Sequence, residues 1–415
     1  MLLDLAQALS AINCASAVRQ RARELLALAD ADALTGFRVA RDELPKTTEL
    51  IVTTIRTRYP HLRIPFHSRW RHFEVDGIDR WDAHAQRECA GDAMARARAS
   101  IDLAVTSVLL DAGAGPHWRY TEANGRAHAR SEGLAVASLD MFVSGLFSAE
   151  PASPLQAHAQ ALEACTATRI GEAMQVTAAN PMVGLEGRAG LMRALAKALR
   201  ARPDYFGAET PRPGHLVDYF VAQAPDKRIA AADLLRTVLD GFGSIWPGRE
   251  RLGDVVCGYA SLGDVWRHSA IQREDMTNAL MPLHKLSQWL TYSLLEPLQA
   301  CGFEITGLDE LTGLAEYRNG GLLVDTGVLV ARDSANLSVH HAPGAEFIVE
   351  WRGLTVALLD ELAVLVRQSL GLDQHALPLA SVLEGGTWAA GRIIAGRLRA
   401  DGGPPVHIES DGTVF

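Results

Sequence analysis

The dominant pattern along the chain is an apolar residue every three or four positions, which is typical of amphipathic helices. The first thirty residues are predicted as helix because their apolar side chains share one stripe, formed by Leu2, Leu5, Leu9, Leu25, Leu26 and Ala29. A second helix is predicted to begin near Pro45 and to end at Tyr59-Pro60. The same period predicts helices over 78–110, 131–147, 155–175, 187–199, 215–223, 229–241, 354–370 and 388–400, and one that begins at Pro282.

Turn residues predict a few short β elements between these helices. Asn124-Gly125 lies between residues 118–121 and 126–130, and Asp411-Gly412 lies between 406–408 and 413–415, so both positions favour a tight hairpin. A strand is predicted at 322–324, after Gly320-Gly321. The connections are short, as expected inside one packed unit. We therefore predict one mostly α domain over residues 1–415 with minor β-hairpins; two helical lobes around a cleft would fit the same pattern.

Composition and charge narrow the class of protein. The 415 residues are 48% hydrophobic and 21% charged, which is typical of a globular protein. With 40 Lys+Arg against 49 Asp+Glu, the net charge of −9 argues against a nucleic-acid partner. No apolar run approaches the ~18–20 residues that cross a bilayer, and Met1-Leu2-Leu3-Asp4 does not open a secretory signal. The five cysteines are dispersed, so we expect free thiols and a cytoplasmic location.

The first segment with candidate chemistry is residues 64–80. Aromatic rings alternate there with guanidinium and imidazole groups, a combination that can hold an anion on a ring face. We predict six substrate-binding residues: His67, Arg69, Trp70, Arg71, His72 and Phe73. The alternative is a surface loop whose aromatic side chains enter the core and whose charges face water.

The second segment is residues 282–297, where a polar stripe accompanies the leucine stripe of a predicted helix. Lys285, Gln288 and Tyr292 share a face at helical spacing, and His284 and Ser287 lie nearby. His284, Lys285 and Gln288 are predicted to bind substrate, with Lys285 directed at a phosphate or at the substrate itself. A solvated helix face explains the same pattern equally well.

The third segment is residues 305–325, which contains four carboxylates in seventeen residues: Asp309, Glu310, Glu316 and Asp325. Hydrolysis at a sugar carbon uses one carboxylate to stabilise an oxocarbenium ion or to activate water, and an acid to protonate the leaving group. The alternative is a helix N-cap at Asp309 with acids in the first turn. That alternative explains Glu316-Tyr317-Arg318 less well, because a buried charge there would need a partner.

Several common motifs are absent from the sequence. It contains no GxGxxG after a strand, no GxxxxGK[ST] loop, no HExxH and no GxSxG. His340 and His341 are adjacent, which places their side chains poorly for chelating one metal. We therefore predict neither a cofactor nor a metal.

Four strings, three of them in these segments, resemble the uracil-catabolism protein family of the non-reductive pyrimidine degradation pathway, which has fungal and bacterial members. They are residues 65–73 (PFHSRWRHF), 284–290 (HKLSQWL), 311–321 (LTGLAEYRNGG) and 383–388 (LEGGTW), and the resemblance runs from near residue 5 to the C-terminus. It implies a pathway in which uracil passes through a nucleotide, its ring is opened and urea is released. A step must then separate a urea-bearing fragment from ribose or ribose phosphate.

A second resemblance concerns Ala315-Glu316-Tyr317-Arg318, which is similar to the Ala-Asp-Tyr-Arg string of queuosine-phosphate salvage glycosidases. Those proteins are all-helical, and their fold is similar to that of helix-hairpin-helix glycosylases. Here Glu316 stands in place of the aspartate, and Asn319-Gly320-Gly321 stands in place of Val-Pro-Gln.

These resemblances and residues together predict an N-ribosyl hydrolase that cleaves a ribosylurea-like compound, with or without a 5-phosphate. Glu316 or Asp325 is predicted to face the anomeric carbon, Tyr317 and Arg318 to orient the carboxylate or the urea carbonyl, and Arg69, Arg71 and Lys285 to hold phosphate or ribose. The expected partner is a small molecule derived from a nucleoside or nucleotide, and no oligomeric state is predicted. Two alternatives are a pyrimidine ring-opening amidohydrolase and a non-catalytic helical binding protein of the pathway.

Overall fold

The described part of the chain is mostly helical, as predicted. The computed structural model describes residues 4–246, 250–254 and 258–409. The α-helices are α1 (Leu5–Ile12), α2 (Ala15–Asp30), α3 (Leu44–Arg58), α4 (Trp70–Phe73), α5 (Asp82–Cys89), α6 (Ala93–Leu109), α7 (Arg130–Val143), α8 (Ala159–Glu163), α9 (Ala167–Ala173), α10 (Leu185–Ala201), α11 (Pro203–Phe206), α12 (Leu216–Gln223), α13 (Ala231–Phe242), α14 (Lys285–Ala300), α15 (Tyr317–Asp325), α16 (Glu346–Leu370), α17 (Leu379–Val382) and α18 (Trp388–Leu398).

The strands are short and pair two by two. They are β1 (Phe37–Val39), β2 (Tyr120–Thr121), β3 (Ala127–His128), β4 (Arg228–Ala230), β5 (Arg251–Asp254), β6 (Gly258–Ser261), β7 (Val265–Arg267), β8 (Leu280–Pro282), β9 (Glu304–Thr306), β10 (Leu329–Ala331), β11 (His340–His341) and β12 (His407–Ile408). The described pairs are β1–β10, β2–β3, β5–β6 and β7–β8, all antiparallel, and β4–β9 and β11–β12, both parallel. They therefore connect helices and form no extended sheet.

Helix boundaries follow local capping more closely than the apolar period. Helix α3 carries Pro45 in its first turn and ends before Tyr59, as predicted. The first thirty residues form two helices, α1 and α2, with a break at Asn13-Cys14. The predicted helix over 78–110 divides into α5 and α6, because Ala90 adopts a left-handed conformation and Asp92 caps α6 through the backbone N–H groups of Met94 and Ala95. The apolar period continues through both breaks and so conceals them.

The predicted β elements had different outcomes. The hairpin at Asn124-Gly125 is confirmed by the antiparallel pairing of β2 with β3. At the other predicted hairpin, β12 pairs in parallel with β11, and residues 413–415 lie outside the described residues. The predicted strand at 322–324 is wrong, because these residues belong to α15 and Leu322 and Leu323 are fully buried. A three-residue apolar run does not distinguish a buried helix from a strand by its period.

The described residues divide into two compact units. The first unit comprises residues 4–67, 250–288 and 307–409, apart from the undescribed gap at 255–257. Its long central helix α16 packs against α2, α3 and α15, and α15 packs against α18. The core of this unit includes the buried side chains of Leu25, Trp351 and Leu358.

The second unit comprises residues 68–246 and 289–306. Helix α10 packs there against α8 and α9, and α6 packs against α7. Helix α14 supplies Lys285–Gln288 to the first unit and the rest of its length to the second.

Candidate functional site

The candidate site is built around Glu316, the residue that caps α15. Its backbone is extended, and its carboxylate accepts the backbone N–H groups of Arg318 and Asn319, each at 2.6 Å. A carboxylate at this position pairs with N–H groups that the helix itself leaves unbonded. Burial raises the pKa of Glu316, while these two hydrogen bonds and the charges of Lys285 and His67 act in the opposite direction. Glu316 is therefore a buried acid with a fixed orientation and two basic groups within electrostatic range.

The alternative of a helix N-cap at Asp309 does not hold, because Gly307 precedes the 3₁₀ turn that contains Asp309, and Glu316 caps the α-helix that follows. Asp309 lies in the 3₁₀ turn Leu308–Glu310. Its carboxylate accepts the backbone N–H of Leu379 at 2.8 Å and pairs with Arg367. Asp309 thus joins this turn to the start of α17.

His67, whose charge acts on Glu316, has its ring held by Glu384. The imidazole Nδ1 lies 2.9 Å from the Glu384 Oε2, and both side chains are buried. Arg58 donates to the backbone carbonyl of Glu384 at 2.6 Å and to its carboxylate at 3.2 Å. The hydroxyl of Tyr59 lies 3.4 Å from the same carboxylate. This arrangement fixes the orientation of the imidazole and surrounds Glu384 with hydrogen-bond donors.

Glu384 occupies a π-helical turn, Leu383–Thr387, between α17 and α18. Such turns are rare and frequently occur at functional sites. The next two residues are glycines in close contact with their neighbours: a Cβ on Gly385 would lie 2.9 Å from Ile64 and one on Gly386 would lie 2.6 Å from Ile51, so a larger residue at either position would force these side chains to shift. Residues 383–388 contribute to the family resemblance, but Glu384 is not among the site residues predicted from the sequence. The available signal was an acid followed by Gly-Gly inside a helical pattern.

Lys285 begins α14, and its position is set by Asp264. The backbone N–H of Lys285 donates to Asp264 Oδ2 at 2.9 Å. Both oxygens of Asp264 pair with Arg352 at 2.8 Å, and the Arg352 Nε donates to the carbonyl of Ala315 at 3.1 Å. Although burial opposes ionisation, Arg352 and further hydrogen bonds hold the pKa of Asp264 well below its usual range. The pair therefore links the first residue of α14 to the residue that precedes Glu316.

The other predicted residues on this segment have structural partners. Gln288 is fully buried, and its Oε1 accepts the backbone N–H of Thr312 at 2.8 Å while its Nε2 donates to the Thr312 hydroxyl. The His284 ring lies 2.9 Å from the carbonyl of Ile12, and burial lowers its pKa. A solvated helix face does not describe this segment, because Gln288 and Tyr292 are both fully buried.

The two predicted carboxylates on α15 lie at opposite ends of that helix. Asp325 ends α15 and pairs with Arg399 at 2.7 and 2.5 Å. Nine residues of helical rise separate it from Glu316, which corresponds to about 13 Å. Arg318 donates to the carbonyl of Gly402 at 2.8 Å and lies 5.0 Å from the ring centroid of Tyr317. The structure thus places Tyr317 and Arg318 beside Glu316 and does not bring the two acids together.

The remaining predicted residues belong to the second unit, where Arg69 is fully buried. Its Nε donates to the Ser107 hydroxyl at 2.6 Å and its Nη1 pairs with Asp111 at 2.7 Å. Its guanidinium also lies 5.8 Å from the Phe73 ring centroid and 5.7 Å from that of Trp289. Burial lowers the pKa of Arg69, and Asp111 opposes that effect.

The neighbours of Arg69 in sequence are also packed inside the second unit. Trp70 and Phe73 are buried with their ring centroids 5.4 Å apart, so these aromatic side chains do enter the core. Arg71 pairs with Glu296 at 2.7 Å and with Glu74 at 3.0 Å. The buried His72 ring lies 6.0 Å from that of Trp289. Substrate contact by these residues stays a prediction.

None of the helices formed by the described residues is long and apolar enough to cross a membrane. Within the same ranges, no three His, Cys, Asp or Glu side chains cluster in a way that could hold a metal ion.

This chain belongs to the family described as "Protein of unknown function (DUF1688)", which it matches over residues 11–415. It is similar to "Protein urg3" of Schizosaccharomyces pombe, with 39% identity over 407 residues that cover 96% of each chain. It is also similar to "Uracil catabolism protein 4" of Lachancea kluyveri, with 38% identity over 411 residues that cover 91% of this chain and 92% of the relative. The resemblance to the uracil-catabolism family is thereby confirmed.

Proposed function

We propose that the protein acts in uracil catabolism as an N-ribosyl hydrolase. Its substrate is a ribosylurea-like compound, free or phosphorylated at the 5-position, and its products are urea and ribose or ribose 5-phosphate. The pathway is supported by the name of the relative from Lachancea kluyveri. The observation that carries the chemistry is the buried, doubly hydrogen-bonded carboxylate of Glu316 with Lys285 and His67 in electrostatic range.

In the proposed reaction, the bond between ribose C1 and the urea nitrogen breaks and water adds to C1. Such reactions pass through an oxocarbenium-like transition state, with positive charge developing at C1 and the ring oxygen. A fixed carboxylate in a water-poor environment stabilises that charge more strongly than solvent does. The two backbone N–H groups hold the Glu316 carboxylate in place before the charge develops, so little reorganisation is required.

The departing urea nitrogen needs a proton, because urea is a poor leaving group as an anion. His67 is the group we propose for this role, since imidazole is the most common general acid and base at neutral pH. Glu384 orients its ring through the Nδ1 contact at 2.9 Å. Arg58 and Tyr59 in turn hold the Glu384 carboxylate.

Lys285 is proposed to bind the phosphate or ribose part of the substrate. Its ammonium group contributes to the electrostatic environment of Glu316, and its backbone is held by Asp264. Tyr317 and Arg318 are proposed to orient the reacting groups from the first turn of α15. Asp325 is the alternative catalytic carboxylate, and the variants Glu316→Gln and Asp325→Asn distinguish the two.

The test is turnover of defined compounds by the purified full chain. Ribosylurea, its 5-phosphate, uridine and UMP are incubated separately, and urea and free sugar are quantified. Equimolar release of urea and sugar from either ribosylurea compound supports the proposal. Consumption of the pyrimidine compounds without sugar release would favour ring opening, and ligand binding without turnover would favour a binding protein.

A further inference from the structure

Two of the buried polar atoms of the first unit that have no hydrogen-bond partner among the described residues belong to α15 and to the π-helical turn. They are the side-chain oxygen Oδ1 of Asn319 and the hydroxyl oxygen of Thr387, and both residues are fully buried. Buried polar atoms are nearly always hydrogen-bonded, so each exception requires an explanation. A ligand that supplies the missing partners is one such explanation.

Asn319 lies at the same end of α15 as the Glu316 carboxylate. Its backbone N–H donates to Glu316 Oε1 at 2.6 Å, and its side-chain Nδ2 donates to the carbonyl of Leu314 at 3.3 Å. A backbone carbonyl can only accept a hydrogen bond, so this contact determines which end of the amide is Nδ2. The unpaired atom is therefore the acceptor Oδ1, located beside the proposed catalytic carboxylate.

The helix register places Thr387 near the same point. Helices α15 and α18 run parallel, because the Arg318 carbonyl contacts Gly391 and Asp325 pairs with Arg399. Thr387 is one helical turn before Gly391, so it is level with the segment that leads into α15. It also follows Glu384 by three residues within the π-helical turn. A hydroxyl and an amide oxygen thus accompany Glu316 and Glu384 at this end of the helix pair.

We infer that Asn319 Oδ1 accepts an N–H of the terminal NH₂ of the substrate's urea group and selects for ligands that carry it. The inference rests on the proposed function and specifies which part of the substrate this end of α15 recognises. A urea group carries N–H donors on both sides of one carbonyl acceptor. Asn319 Oδ1 matches a terminal N–H, and the Thr387 hydroxyl can donate to the carbonyl. A site built to bond such a group discriminates strongly against analogues that lack it.

The test compares ribosylurea with its analogue in which the terminal nitrogen carries two methyl groups and therefore no N–H. For the wild-type protein, we expect kcat/KM for the dimethyl analogue to be lower by about a hundredfold or more. Asn319→Ala is expected to lower kcat/KM for ribosylurea by about ten- to a hundredfold and to reduce the ratio between the two compounds to a few-fold. Thr387→Val should weaken ribosylurea binding, whereas Thr48→Val, which removes another buried hydroxyl without a partner among the described residues, serves as the matched control.

Calorimetric binding of both compounds to Glu316→Gln separates this inference from the proposed function. If Glu316→Gln binds ribosylurea more tightly than the dimethyl analogue, and the double variant with Asn319→Ala binds both equally, the role of Asn319 is supported. This holds even if the wild type shows no turnover. If a folded Asn319→Ala protein turns over ribosylurea and keeps the wild-type ratio of kcat/KM between the two compounds, the inference about Asn319 is overturned. If Asn319→Ala does not fold, equal binding of the two compounds by Glu316→Gln overturns it, and absence of binding of either compound overturns both proposals.

Discussion

Asp264 and Arg352 form a buried, two-pronged ion pair in which each carboxylate oxygen lies 2.8 Å from a guanidinium nitrogen. The same carboxylate holds the backbone of Lys285, and the same guanidinium holds the carbonyl of Ala315. Two segments that are about thirty residues apart in sequence are therefore joined through one salt bridge. The relative position of Lys285 and Glu316 depends on this pair.

Replacing Asp264 with Asn should destabilise the protein by about 3–5 kcal/mol at neutral pH, because it leaves the buried Arg352 charge without its partner. Asp30→Asn is the control: it breaks a half-exposed pair with Arg41 and should cost at most about 1 kcal/mol. Unfolding in guanidinium chloride at pH 7 measures the free energy of unfolding of both variants. Equal, small costs for the two variants would contradict the structural role of the pair.

The same pair predicts a pH dependence of stability. The pKa of Asp264 is lower in the folded protein than its ordinary value of 3.8, so its contribution is present above that pH and is lost as the pH falls below it. The difference in unfolding free energy between wild type and Asp264→Asn should therefore narrow below about pH 4. Thermal unfolding of both proteins at a series of pH values tests this prediction. If the difference in unfolding free energy widens on acidification, the prediction is wrong.

Glu316 and Asp325 are distinguished by isosteric variants. Glu316→Gln should lower turnover by orders of magnitude, because it removes the charge that stabilises the transition state. Asp325→Asn should retain most of the turnover and lose stability, since it breaks the pair with Arg399. Steady-state rates and thermal unfolding measure both effects. Loss of turnover in a folded Asp325→Asn protein, together with an active Glu316→Gln protein, would move the catalytic role to Asp325.

Glu384 is predicted to act through His67. Glu384→Gln removes the negative charge next to the imidazole while preserving the shape of the side chain, so we expect kcat to fall by about ten- to a hundredfold with little change in KM. Glu361→Gln, which changes an exposed acid near Arg41, is the control. An unchanged kcat, or a change confined to KM, in a folded Glu384→Gln protein would show that Glu384 does not act through His67.

Lys285 is predicted to recognise phosphate. Lys285→Met should raise KM for ribosylurea 5-phosphate by about tenfold or more and should affect unphosphorylated ribosylurea much less. Lys46→Met removes an exposed lysine on α3 and should change neither value. The salt dependence of KM provides a second measurement, because the phosphate contact weakens as ionic strength rises. Equal effects on both compounds would show that Lys285 acts elsewhere on the substrate.

The helical class and most helices could be predicted from the sequence, since an apolar period reports burial directly. The breaks at Asn13-Cys14 and Ala90 could not, because the period continues through them. The incorrect strand at 322–324 shows the same limit, since three apolar residues carry no period. Capping decided these boundaries, and the cap of α15 is itself the central residue of the candidate site.

The candidate site could be predicted in part. Glu316 was singled out because a buried acid beside an arginine needed a partner, and the structure supplies backbone N–H groups as those partners. Asp264, Arg352 and Glu384 could not be selected, because each acts through a residue that is distant in sequence. Arg69 illustrates the converse: the mixture of aromatic and basic residues around it indicates an anion site, whereas its guanidinium is paired with Asp111. Long-range pairing of this kind leaves no local pattern.

The proposed reaction is hydrolysis of the N-ribosyl bond with Glu316 as the essential carboxylate. It is tested by measuring the urea and free sugar released from ribosylurea and its 5-phosphate across pH, by the wild type and by Glu316→Gln. We expect the wild type to release equimolar urea and sugar. We also expect its kcat/KM to fall on acidification at a pH above the ordinary glutamate pKa of 4.5, because burial raises the pKa of the carboxylate that must be ionised. Glu316→Gln should release almost none of either product. If folded wild-type protein releases no urea or sugar from either compound, or if the variant releases as much as the wild type, the proposed reaction is wrong.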